Sequence, residues 1–126
     1  MPQPPSLGNL LAHLPPPGED ESFEILLDTP ACRIERIVSH GHTSPPGFWY
    51  DQDGDEWVLL MQGQATLAFA DGGEYRLTAG DWVHIPAHCR HCVAATAPAT
   101  VWLAVHVGTK TDTSKNLDSP APGRFW

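Results

Sequence analysis

Between residues 22 and 107 the apolar residues come in short runs that turn residues keep interrupting, and this pattern constrains the fold more than any other. SFEILLD, CRIERIVS, EWVLLMQ, QATLAFA, EYRLTA, DWVHIP and TVWLAVHV are each about six to eight residues long, the length of a β-strand. Side chains alternate along a strand, so Ile34, Arg36 and Val38 face one way while Arg33, Glu35 and Ile37 face the other. The breaks at HG (40–41), DG (53–54), QG (62–63), DGG (71–73) and AGD (79–81) carry turn chemistry. QATLAFA-DGG-EYRLTA reads as a hairpin closed by a glycine-containing turn. No window sustains helical periodicity, so the expected class is all-β, a sandwich or a barrel.

The 126 residues suffice for one domain, and 13 Pro with 11 Gly fit a chain that turns often. A formal charge of −8 argues against a nucleic-acid partner or an anionic membrane surface, since both need a basic face. No stretch approaches the ~20 apolar residues of a membrane span. MPQPPSLGNLLAHL has neither a basic start nor an apolar core, so no secretory signal is expected. The three cysteines, Cys32, Cys89 and Cys92, are an odd number and no disulfide framework. A reducing cytoplasm is the expected compartment. The organisation reads as an N-terminal arm over 1–21, a β domain over 22–108 and a polar, flexible tail over 109–126 that Phe125 and Trp126 could anchor. Within the arm, Leu10, Leu11 and Leu14 suit one helical turn that Pro15 stops.

Two spacings carry a family resemblance. Glu56 is followed by six residues and Gly63, and Gly80 by five residues, Pro86, four residues and His91; Gly41 matches an opening turn glycine. This resembles the cupin superfamily over residues 32 to 107, and SPPGFWYDQDGDEWVLL resembles small single-domain bacterial cupins of largely unassigned activity. The resemblance implies a jelly-roll β-barrel with Glu56 and His91 projecting into its interior. Metal-binding cupins carry His-x-His a few residues before this Glu. Here those positions hold Tyr50 and Gln52, or Trp49 and Asp51 for a spacing longer by one. The inherited set is therefore Tyr50, Gln52, Glu56 and His91, poorer in imidazole than Zn, Fe or Ni sites prefer.

Other residues compete for a role. His40 and His42 belong to a turn some fourteen residues before Glu56, where the simplest placement is a barrel rim; His42 is kept as a candidate ligand. Cys89-x-x-Cys92 looks like a redox or zinc pair, but residues three apart on a strand point to opposite faces, so two free thiols are expected. His88 is placed at the pocket mouth, and His84, between Val83 and Ile85, points outward. The acidic run Asp51, Asp53, Asp55, Glu56 fails the EF-hand pattern and reads as a solvated turn. Phe48, Trp49, Tyr50 and Trp57 are core or subunit-interface rings, or else a stacking wall for a planar ligand.

Three functions remain open. The first is a metal-dependent enzyme, dioxygenase- or isomerase-like, with one divalent ion (Fe, Mn, Ni or Zn) on Glu56, His91, Gln52 and His42, and with Tyr50 or Glu56 as acid or base. The second is a metal-free binder of a small molecule through Tyr50, Gln52, Glu56, His88 and His91. The third is a structural or regulatory cupin with a degenerate pocket. A homodimer is expected in each, paired by a sheet face or by exchanged arms.

Overall fold

A computed structural model describes residues 3–108. Eight strands follow one another: β1 (Ser22–Thr29), β2 (Cys32–Ser39), β3 (Asp55–Gln62), β4 (Gln64–Phe69), β5 (Glu74–Thr78), β6 (Trp82–Ile85), β7 (His91–Thr96) and β8 (Thr100–Val107). All pairings are antiparallel. The QATLAFA-DGG-EYRLTA hairpin forms as expected, with Gln64 opposite Thr78 and Ala68 opposite Glu74.

The closed barrel of the sequence reading is not what forms. The ladders make two sheets, one of five strands in the order β1-β2-β8-β3-β6 and one of three in the order β5-β4-β7. Eight strands in two facing sheets is the layout of a double-sheet jelly roll. The break falls where β3 hands over to β4 at Gly63, whose φ of +94° turns the chain from one sheet into the other.

Alternation decides what lies between the sheets. On β3, Glu56, Val58 and Leu60 are buried, while Trp57 and Leu59 look outward and are half-buried. The core joins Ile37, Val58, Leu60, Ile85, Trp102 and Ala104 of the larger sheet to Ala65, Leu67, Leu77 and Val93 of the smaller. Burying such side chains contributes roughly 1.5–3 kcal/mol each, which is what closes the sheets on each other.

The outer face of β2 is covered as well. Arg36 Nη1 donates to the carbonyls of Leu10 (3.2 Å) and Ala12 (2.7 Å), and Nη2 lies 2.9 Å from Glu24. His40 and His42 hold the same segment through the Pro15 carbonyl at 3.0 Å and the Gly18 carbonyl at 2.9 Å. Leu10 and Leu11 occupy a turn in which Ala12 N–H donates to the Asn9 carbonyl. The expected tail, 109–126, lies outside the described residues. Among the described residues no helix is long and apolar enough to cross a membrane.

Candidate functional site

β3 starts in the larger sheet and β7 in the smaller, and their first inward positions are Glu56 and His91. Both are 1% exposed, and His91 Nε2 lies 3.7 Å from Glu56 Oε1, beyond ordinary hydrogen-bond length. His91 Nδ1–H donates to the Cys89 carbonyl at 2.9 Å; because a carbonyl only accepts, the proton sits on Nδ1 and the Nε2 lone pair faces Glu56. Burial pushes the Glu56 carboxyl up to about 8, against the opposing pull of a hydrogen bond from Gln52; the nearby Glu35 raises it further and Arg33 lowers it. Burial lowers the pKa of His91, partly offset by the bond to Cys89. At neutral pH the site therefore sets a protonated carboxyl against an imidazole lone pair.

Tyr50 and Gln52 were expected to share a strand face. They instead lie in an irregular crossing over 40–54 that forms one isolated β-bridge: Tyr50 N–H donates to the His91 carbonyl (2.7 Å) and His91 N–H to that of Tyr50 (3.1 Å). This fixes the buried Tyr50 ring 5.6 Å from the His91 ring, with Phe48 edge-on to Tyr50 at 4.8 Å and Phe69 6.0 Å beyond His91. Gln52 reaches Glu56 from the same crossing. Of these aromatics, Phe48 and Tyr50 belong to the site; Trp57 stacks on Trp82 on the outer face.

One expected residue, His42, goes elsewhere. His42 stands beside the far end of β7, where its carbonyl accepts from Thr96 Oγ1. Thr96 is five residues from His91, about 16 Å at ~3.3 Å per residue. The His42 ring accepts from His40 N–H and holds Gly18, so it is no ligand for Glu56 and His91. The His88 side chain is 61% exposed; its ring sits 2.7 Å from Asp51 and 3.4 Å from Asp53. The structure pins it there through His88 N–H to the Gln52 carbonyl and a positive φ of 62°. His84 faces outward and pairs with Asp55 at 2.9 Å, which holds the Asp55 carboxyl below its usual range. Cys89 and Cys92 are half-buried free thiols, and burial raises the Cys92 pKa away from the reactive thiolate.

The strand pattern conceals a further group. Arg33 is opposite His106 on β8, and His106 is opposite Glu56 on β3, so the three share one rung across the inner face. Glu35, one inward position along, is fully buried with His106 Nε2 at 3.2 Å and Arg33 Nε at 3.6 Å from the same oxygen. Alternation in TVWLAVHV puts His106 on the face of Trp102 and Ala104, a signal present in the sequence. Only the register of β8 between β2 and β3 brings it to Glu56.

A resident divalent ion is not well matched by the expected donors. Glu56 and His91 supply a carboxylate and an imidazole lone pair, Gln52 an amide, and His42 lies at the opposite end. Among the described residues no group of three or more His, Cys, Asp or Glu converges in ligating geometry.

The fold and site define a class: an eight-stranded, double-sheet β protein whose acid and imidazole, one from each sheet, meet inside. The Cupin domain profile matches residues 35–106, and the chain belongs to the cupin family. It is similar to a provisionally named mannose-6-phosphate isomerase from Ralstonia eutropha, with 48% identity and a TM-score of 0.80, over 83% of this chain and 100% of that one. A cupin superfamily protein from Desulfitobacterium hafniense (21% identity, TM-score 0.69, 84% and 93% coverage) and KdgF from Halomonas sp. (18%, 0.64, 76% and 86%) share the fold. No curated protein matches the chain.

Proposed function

We propose that this cupin binds a small polar molecule between its sheets and moves a proton on it, in the manner of an isomerase, with Glu56 as acid and His91 as base. The supporting observation is the buried pair itself, 3.7 Å apart, with the carboxyl held protonated and the imidazole neutral. Buried ionisable groups are costly to desolvate unless they bind something or each other, and a protonated carboxyl facing a neutral imidazole suits proton transfer. Tyr50 orients the His91 ring and Gln52 the Glu56 carboxyl. The similarity to a provisional mannose-6-phosphate isomerase directs the choice of probe toward a sugar phosphate.

Mannose 6-phosphate incubated with the protein in D2O is expected to take up deuterium at C2, read by NMR. Glu56→Gln should slow the uptake at least tenfold, about 1.4 kcal/mol or more of barrier. Wild-type protein that washes no hydrogen out of C2, with or without added Fe, Mn, Ni or Zn, overturns the reading. A metal-free binder without chemistry is the second reading, favoured by Tyr50 and Gln52 standing where metal-binding cupins carry two histidines. Binding of the sugar phosphate with no exchange would select it.

A further inference from the structure

The Glu56–His91 pair leaves unexplained why a second carboxylate and a second imidazole are buried beside it. Glu35 is fully buried, His106 is 11% exposed, and their 3.2 Å contact is closer than that of Glu56 with His91. Arg33 shares the Glu35 oxygen at 3.6 Å, so the carboxylate keeps a compensating charge. Apolar residues of similar volume stabilise a core at least as well as a buried ionic cluster, so stability alone does not account for one here. Its place is informative: His106 is the cross-strand partner of Glu56, and such partners have Cβ atoms roughly 4.5–5.5 Å apart.

We propose that Glu35 and His106 form a second acid–base dyad, and that the ligand is a small hydroxy-aldehyde or hydroxy-ketone, whose conversion needs a proton removed at one carbon and another delivered to its neighbour. This rests on the reading of Glu56 and His91 given above. His91 Nε2 takes the hydrogen from the hydroxyl-bearing carbon. The C–H electron pair becomes the C=C bond of an enediol, and the former carbonyl oxygen takes the Glu56 proton. His106, held by Glu35, then takes the proton of the other enediol hydroxyl. That oxygen becomes the new carbonyl, and the former carbonyl carbon receives the proton from His91. His106 is left protonated beside an ionised Glu56, and the proton passing between these neighbours restores both. Glu35 is a positioning residue: it fixes the His106 ring and stabilises its cation.

The two dyads predict a split between two readouts on mannose 6-phosphate. His106→Asn should keep deuterium uptake at C2 within about threefold of wild type, because that step uses Glu56 and His91, while net conversion to the ketose phosphate falls at least tenfold. His106→Gln should show the same split and Glu35→Gln a milder one, with melting temperatures confirming that each variant is folded. A merely structural His106 would lower exchange and conversion together. Equal losses, or unchanged conversion in both His106 variants, overturn the dyad while leaving the Glu56–His91 reading in place. Wild-type protein that exchanges C2 hydrogen without converting the sugar also overturns it, and absence of exchange as well removes both.

Discussion

Glu21 illustrates at the residue scale how burial, not residue type, sets chemistry in this molecule. Glu21 is 7% exposed, and its carboxyl accepts a hydrogen bond from Ser39 Oγ, which in turn accepts from Trp102 Nε1 at 3.2 Å. Burial pushes its pKa from 4.5 to about 8, and the Ser39 bond only partly opposes that rise. In the unfolded chain the group ionises near 4.5, so between about 4.5 and 8 the folded state binds the extra proton. The stability contributed by the protonated carboxyl is complete below the lower value and is lost as pH rises through the higher one. Glu21→Gln should therefore flatten the fall of melting temperature between pH 5 and pH 8; the slope that remains is that of Glu56, shifted in the same direction, less the opposing slope of His91, whose pKa burial lowers. Identical slopes in variant and wild type would show that Glu21 is not buried in solution. None of this was legible beforehand, because Glu21 reads as one more acid in a polar arm.

At the scale of elements, alternation was the most informative signal. It placed Arg33, Glu35 and Ile37 on one face of β2, and the structure turns that face inward. It could not say that the other face would also be covered, which depends on the arm that Arg36 fastens. The β3–β4 connection rests on Gly63. A Cβ there would collide with Thr100 Oγ1 and lie 2.8 Å from its Cα, at a φ that L-residues avoid. Gly63→Ala should destabilise the fold by about 2 kcal/mol or more, measured by urea unfolding, from left-handed strain of about 1–2 kcal/mol with the steric shift added. A change below about 0.5 kcal/mol would mean that the turn relaxes freely. The crossing over 40–54 misled for the same local reason. Its residues carry strand-like alternation, yet among them only Tyr50 forms a β-bridge, so Tyr50 and Gln52 are placed by a bridge and not by a pleat.

For the whole molecule, the outer face of the five-stranded sheet is the conspicuous surface. Trp57 opposes Val105 and His84, Leu59 opposes Leu103 and Trp82, and Trp82 is 60% exposed with its ring stacked 6.0 Å from Trp57. Apolar patches of this kind on a small domain mark interaction sites. A second copy is the expected occupant: light scattering should give twice 13.7 kDa, and Trp82→Glu should return the mass to one chain. A wild-type mass of 13.7 kDa would refute the pairing.

The sequence alone determined the class of fold, the cupin spacings and the inward direction of Glu56 and His91, because period-two alternation and glycine-bearing turns are local properties. Tertiary structure decided the rest. It opened the expected barrel into two sheets, sent His42 to other partners, and set His106 and Glu35 beside Glu56. Register and sheet order depend on which distant strands pair, and the cost of burying a charge depends on what those strands place around it; neither is written in any short stretch of chain.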